Sequence, residues 1–259
     1  MARSIVITGA GAGIGAEAAR RFSRAGWSVC ATDVNEAALA RLRVEIGEEM
    51  GGEQTYARMD VTDPDQVTRV LAEFAGRHGG AFDALLNNAG VAFIDKFEEL
   101  TLAQHALVVA VNVNGVLNCT HAAFPYLSKS ERATVITMCS RAAEYGVPSE
   151  ATYSASKFFV RGFTEAMNIE WERHGIHVCD ILPNFVDTPM MEQAHGDIVD
   201  SIGVNLTPAD VVGTIMRAAE DRRRVHWTVD TLKNHLLIGV LNRMPARLHR
   251  TLIKQFAGF

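Results

Sequence analysis

Short runs of almost unbroken apolar residues alternate along this chain with stretches of helical periodicity, and few folds accommodate that rhythm. SIVIT (4–8), WSVCAT (27–32), FDALL (82–86), ATVITM (133–138) and IHVCDIL (176–182) are β-branched or apolar almost throughout, so each reads as a buried strand. QTYAR (54–58) is a weaker strand candidate just before Asp60, and VHWTV (225–229) reads as the last strand. Between them lie helical segments: 14–25 ending at Gly26, 35–46 ending at Gly47, 64–78 opening at Pro64, 101–127, and 151–173 ending before Gly175. Strand–helix–strand repetition means an α/β fold, a parallel sheet of about seven strands with helices on both faces. Such a sheet binds its ligand outside the carboxyl ends of the strands, near the switch point of the strand order. No repeat, linker or composition shift divides the 259 residues, and one domain is expected over 1–259.

Composition narrows the class. With 48% hydrophobic residues the chain can bury a sizeable core, and a formal charge of −5 argues against a nucleic-acid partner, which requires a basic face. Cys30, Cys119, Cys139 and Cys179 form no CxxC pair and read as buried thiols of a reducing compartment, the cytoplasm. The first strand begins at Ser4 with no signal peptide before it, and no apolar run approaches the roughly 20 residues of a membrane span. The nine histidines are scattered, HGIH (174–177) straddling a helix end and a strand start, so no metal is assigned.

TGAGAGIG, Thr8 to Gly15, directly follows the first strand and opens the first helix. Gly9, Gly13 and Gly15 leave the backbone bare, so a pyrophosphate can approach N–H groups at a helix N-terminus. Asp33 closes the next strand, 18 residues beyond Gly15, where a carboxylate accepts hydrogen bonds from both ribose hydroxyls and repels a 2′-phosphate. Ala12 and Val34 supply no cation for that phosphate, so NAD(H) is favoured over NADP(H). The competing reading makes Asp33 a cap for the helix near Asn35. Farther along, TYSASKFF places Tyr153 one helical turn from Lys157. An ammonium there should lower the phenol's pKa from its usual value near ~10 into the range of proton transfer.

These motifs together resemble the short-chain dehydrogenase/reductase family. TGAGAGIG is similar to its TGxxxGxG, NNAG at Asn87–Gly90 to its second signature, and YSASK to its YxxxK, with Asn112 in VNVNG and Ser140 in MCS at the remaining positions. The similarity runs from about Ser4 to Met190 and implies a Rossmann-like doubly wound sheet. By resemblance, Tyr153 is the general acid or base, Lys157 lowers its pKa and holds the nicotinamide ribose, and Ser140 donates to the substrate oxygen. Asn112 would fix a water that links Lys157 to solvent; the alternative is a helix-interior Asn satisfied by backbone groups. Gly9, Gly11, Ala12, Gly13, Ile14 and Gly15 would cradle the phosphates, Asp60 and Val61 the adenine, and Asn87, Ala89 and Gly90 its ribose. Asp60 reads equally as a turn residue ahead of Pro64. Pro183, Asn184, Val186 and Thr188 would line the nicotinamide.

The family usually writes Pro-Gly where this chain has Pro183-Asn184; Asn tolerates positive φ, so the turn can survive. Cys139 reads as a packed thiol. Phe185, Met190 and Met191, in the 185–206 lid, read either as an apolar substrate lip or as lid packing. The divergent tail, 221–259, carries two amphipathic stretches, HLLIGVLNRM and ARLHRTLIKQF, broken at Pro245. They are expected to pack over the substrate pocket or at a subunit interface, ahead of lying on a membrane surface. The resemblance implies an NAD-dependent oxidoreductase interconverting a secondary alcohol and a ketone, with an apolar small-molecule substrate. Helices 101–127 and 151–173 would pair subunits into a homodimer or homotetramer. Two competitors keep the fold: an epimerase or dehydratase using NAD transiently, and a non-catalytic NAD(H)-binding redox sensor.

Overall fold

The computed structural model describes residues 2–47, 53–192, 203–230, 239 and 244–256. Seven parallel strands form one sheet in the order β3-β2-β1-β4-β5-β6-β7. They are β1 Ser4–Thr8, β2 Ser28–Asp33, β3 Gln54–Arg58, β4 Ala84–Asn87, β5 Thr134–Met138, β6 His177–Pro183 and β7 His226–Val229. Each predicted strand is present, with boundaries moved by at most two residues.

The apolar strands are continuous because the sheet is covered twice. In β1, Ile5 and Ile7 face one helical layer and Val6 the other; Val29/Ala31 against Cys30 and Ala84/Leu86 against Leu85 repeat the split. The first layer is α1 (Gly13–Arg24), α2 (Glu36–Ile46) and α8 (Pro208–Glu220), packed through Phe22, Leu42 and Ile215. The second holds α3 (Pro64–Arg77), α5 (Gly115–Leu127) and α6 (Ala151–Glu172), packed through Phe74, Leu127 and Trp171. Local chemistry sets the helix starts: Asn35, Asp63 and Thr207 each accept amides of the first turn.

The predicted helix over 101–127 is a rod with a π-helical turn, Ala110–Asn114, between α4 (Leu102–Val109) and α5. Contrary to the expectation that no segment could span a membrane, Leu102–Leu127 is 26 residues and long and apolar enough by composition to do so. Polar residues such as Gln104, His105, Asn112 and Asn118 interrupt the apolar run without stopping the helix. Val116, Cys119, Ala123 and Leu127 are spent against the sheet and its neighbouring helices.

The lid begins with α7 (Pro189–Glu192), and a parallel bridge between Val186 and Leu206 joins its two ends. The stretch HLLIGVLNRM lies largely outside the described residues. ARLHRTLIKQF is helix α9 (Ala246–Phe256), whose Leu252 and Ile253 pack with Tyr145, Val147 and Phe185. Packing beside the pocket, one of the two ordinary roles foreseen for this tail, is therefore observed.

Candidate active site

The chain leaves β1 for β2 and later returns on the other side of β1 as β4, so the loops after these strands diverge and leave a crevice. Backbone fills most of its near side. Asn88 Nδ2 donates to the carbonyls of Thr8 (2.9 Å) and Gly9 (3.0 Å), while Thr8 Oγ1 accepts from the amides of Asn88 and Ala89, both at 3.0 Å. A methyl group on Gly15 would fall 2.1 Å from the Gly9 carbonyl oxygen, and one on Gly9 would fall 2.8 Å from Ala89 Cα. Gly9 (φ 65) and Gly13 (φ 52) also use left-handed backbone. No side chain caps α1, whose preceding residue is Ala12, so its first amides remain available to an anion.

Asp33 reaches this turn from the end of β2. Its Oδ2 accepts from the Gly11 amide at 2.8 Å and its Oδ1 from the Asn35 amide at 2.9 Å. Asn35 itself caps α2 through Ala38 N. The capping alternative for Asp33 therefore falls.

Across a cavity of ≈ 310 Å³ stand Ser140, Tyr153 and Lys157. Ser140 follows β5, Tyr153 and Lys157 share a face of α6, and Ser140 hydrogen-bonds the Tyr153 phenol. The Lys157 ammonium lies 5.4 Å from the Tyr153 ring centroid but donates to the Met138 carbonyl at 2.8 Å. The electrostatics differ from expectation. Burial, reinforced by the Glu150 charge, raises the phenol above its ordinary pKa, and only the Ser140 hydrogen bond opposes this. Burial also lowers the Lys157 pKa. With its ammonium committed to a carbonyl, Lys157 does not acidify Tyr153 in this arrangement, and the phenol is held as a proton donor.

The remaining wall is Pro183, Asn184, Phe185, Val186, Thr188, Met190 and Met191. Thr188 Oγ1 donates to the Val186 carbonyl at 3.2 Å, and its methyl carbon approaches Gly13. Asn184 does not adopt the positive φ foreseen for it, Ser149 (φ 63) being the one non-glycine residue there among the described residues. Instead Asn184 Oδ1 accepts from Phe185 N at 2.9 Å, which leaves Nδ2 buried without a partner. Cys139 is a packed thiol, pushed up to about 12 by burial.

The model for the short chain dehydrogenase family matches residues 3–198. The chain belongs to the short-chain dehydrogenase/reductase family. It is 30% identical over 252 residues to sulfoacetaldehyde reductase 2 of Chromohalobacter salexigens, spanning 95% of this chain and 96% of that protein. It is likewise 30% identical over 266 residues to serine 3-dehydrogenase of Agrobacterium fabrum, spanning 100% and 98%. Among solved structures, the 3-ketoacyl-(acyl-carrier-protein) reductase from Brucella melitensis complexed with NADH aligns with a TM-score of 0.79 at 27% identity, over 88% of this chain and 96% of that one.

In this member of the family the cavity gathers Gly9, Ala12, Gly13, Ile14, Asp33, Ala89 and Gly90 with Ser140, Tyr153, Lys157 and the Pro183–Thr188 wall. Other residues singled out in the sequence stand behind it. Gly11 and Gly15 build the turn without lining the cavity. Asn87 donates to Thr120 and Thr137, tying β4 to α5 and β5. Asp60 accepts from the Thr62 amide and hydroxyl, the turn role, and Val61 packs where Gly115 lacks a side chain. Asn112, in the π-helical turn, exchanges hydrogen bonds with both backbone groups of Val91 at 2.9 Å and donates to Ser156, which is the backbone-satisfied alternative. Sequence reasoning passed over Asn88, Arg141, Tyr145 and Glu150. Asn88 had a signal: adjacent asparagines at a strand end point to opposite faces, so only one can brace the turn. Glu150 had none, because an acid at a helix start reads as favourable solvent-exposed charge.

Proposed function

We propose that this protein is an NAD(H)-dependent oxidoreductase that interconverts a secondary alcohol and a ketone, on a predominantly apolar substrate. One observation carries the reading: the glycine turn with Asp33 and the Ser140–Tyr153–Lys157 wall face each other across one cavity. A dinucleotide fits the near side. The glycine positions exclude even a methyl group, the α1 amides are uncapped, and Asp33 offers acceptor oxygens to a diol. Among the described residues the cations lining the cavity, Arg141 and Lys157, are both on the far wall; Arg58, the β3 register partner of Asp33, lies 3.9 Å from Glu36 and donates to Gln66 at 3.4 Å, which supports a cofactor without a 2′-phosphate. When bound, the nicotinamide supplies the hydride.

The chain's own residues supply proton chemistry and orientation. In reduction the protonated Tyr153 phenol gives its proton to the substrate oxygen, to which the Ser140 hydroxyl also donates, stabilising the charge that develops there. In oxidation Tyr153 Oη takes the proton back. Lys157, turned from the Met138 carbonyl toward a ribose, would bring its positive charge to the site only in the loaded enzyme. Val186 and Thr188 would hold the carboxamide, and Ile94, Val147, Phe185 and Met191 would receive the apolar body of the substrate.

Leu107, Val109 and Leu117 on the α4–α5 rod and Phe158 and Ile169 on α6 are exposed, which supports homodimer or homotetramer formation through these helices. Four unpaired, buried cysteines support a cytoplasmic setting. The decisive experiment screens secondary alcohols and ketones by absorbance of the reduced nicotinamide, with NAD and NADP in parallel. Net NADH formation from simple alcohols, with NAD at least about ten-fold preferred over NADP in kcat/KM, is expected. Equal use of NADP would overturn the cofactor assignment, and no turnover with either would overturn the enzyme.

A further inference from the structure

Among the described residues, one carboxylate on the far wall of the cavity has no cation paired with it. Arg141, itself buried, donates from Nη1 to Glu144 Oε1 at 2.9 Å, and its Nε lies 3.4 Å from Asp230 Oδ2. Arg161 approaches the same Glu144 oxygen at 3.7 Å. Both guanidiniums are therefore engaged by carboxylates, Arg161 also by Glu165 at 3.9 Å. Glu150 takes no part in these pairs. It is 3% exposed and lines the cavity, and its Oε1 is sealed from solvent without a hydrogen-bond partner.

Nor is this carboxylate used by the helix it precedes. Glu150 occupies the residue before α6, where a side-chain oxygen commonly accepts a first-turn amide, yet it makes no such bond. The left-handed Ser149 sets its direction, and the Asp95 amide donates to the Ser149 carbonyl at 3.0 Å. The ionisable groups it acts on are Tyr145 in the preceding loop and Tyr153 on α6, and Arg141, Glu144 and Asp230 also act on Tyr145. Lys157, the other cation lining the cavity, is engaged by Met138. No cation among these is left to answer Glu150, and an anionic substrate would meet an unbalanced negative charge.

We infer that Glu150 determines substrate specificity by pairing with a cationic amine, so that the substrate is an amino alcohol or amino ketone with an apolar body. The placement supports this chemistry. Glu150 and Tyr153 line the same cavity and the carboxylate acts on the phenol, so an ammonium facing Glu150 is a few bonds from an oxygen on the phenol. An ammonium in the cavity also brings the counter-charge to a carboxylate that lines it. Burial pushes the free carboxyl up to about 7, so it is neutral in mild acid and charged in mild base. Recognition of a protonated amine should strengthen as pH rises through that value.

The inference rests on the alcohol–ketone reading above, and calorimetry on the NAD-loaded protein separates the two. The probes are 2-amino-1-phenylethanol, its uncharged isostere 1-phenyl-1-propanol, and the anion mandelate, titrated at pH 6 and pH 8. The amine is expected to bind about ten-fold or more tightly than the isostere at pH 8, with the ratio shrinking at pH 6. Glu150→Gln should bring the ratio near one, and Glu150→Asp should retain part of it. Equal binding of amine and isostere at pH 8, a preference that survives Glu150→Gln, or tighter binding of mandelate would each overturn the inference. A protein that binds dinucleotide and oxidises neutral alcohols without an amine preference loses this inference alone. Failure to bind either dinucleotide strikes the dehydrogenase reading instead.

Discussion

The two ends of the cavity meet their ligands with different materials. At the glycine end, residues 8–15 and 87–90 interlock through backbone groups and the Asn88 amide, with methyl-sized tolerances and every braced carbonyl answered. At the substrate end side chains form the wall, and Glu150 and Asn184 are among those holding buried polar atoms without hydrogen-bond partners. An end built of backbone serves any protein that must bind the same dinucleotide. An end built of unsatisfied side chains costs stability and confers choice. Each experiment below attacks one side of that contrast.

The largest effect belongs to the wall between the two ends. Tyr153→Phe removes the proton donor while keeping the ring, and kcat should fall by about 10²–10⁴-fold. Steady-state kinetics against a circular-dichroism control measures it. Turnover within about ten-fold of the parent would show that the phenol, already held protonated by burial, is not the proton's carrier.

At the glycine end the expected failure is structural. Gly15→Ala drives a methyl group to within 2.1 Å of the Gly9 carbonyl oxygen, and backbone there cannot step aside because Asn88 holds it. Destabilisation of about 1–3 kcal/mol or more should follow, with loss of dinucleotide affinity. Thermal unfolding with and without NAD would read both. A variant with parental stability would mean that the turn is looser than its contacts imply.

The same contrast explains what the sequence disclosed. A position where only glycine fits leaves a mark in residue type, so the TGAGAGIG turn and the switch-point crevice could be read before any coordinates. Asp33 and the Ser140–Tyr153–Lys157 set could be read because spacing along strand and helix fixes their direction. What escaped depends on neighbours remote in sequence. Glu150 is desolvated among residues whose elements come from several parts of the chain, and Lys157 turns from the phenol because the Met138 carbonyl is nearer in space. Asp60, Val61 and Asn87 carry family-like spacing, yet their visible contacts are turn and packing contacts. Asn184 was read through its tolerance of positive φ, but local context gave it an ordinary backbone.

A smaller effect tests whether Glu150 is a stability sacrifice. Its carboxyl rises from an ordinary 4.5 to about 7 on burial, so the folded state holds the proton more tightly than the unfolded chain. Below pH 4.5 both states are protonated and nothing is lost. Between 4.5 and 7 the unfolded chain ionises first and stability falls as pH rises; above 7 the loss is complete. Glu150→Gln cannot titrate, so it should match the parent near pH 4.5 and exceed it at pH 8 by at most about 3 kcal/mol. Melting curves across pH should show several degrees of separation at the alkaline end. Parallel curves would mean that the carboxylate finds compensation that its surroundings do not display.

Asn184→Gly should do least, because its gains and losses cancel. The substitution deletes the Oδ1 contact to the Phe185 amide and loosens a residue that does not need left-handed backbone, each worth about 1 kcal/mol or less. It also removes a buried amide nitrogen that has no partner, which returns a similar amount. Net stability should stay within about 1 kcal/mol, and dinucleotide affinity within a few-fold, as read by melting and calorimetry. Loss of all dinucleotide binding would place the Asn184 amide among the groups that hold the cofactor. The line between the interchangeable end and the selective end would then run on the other side of this residue.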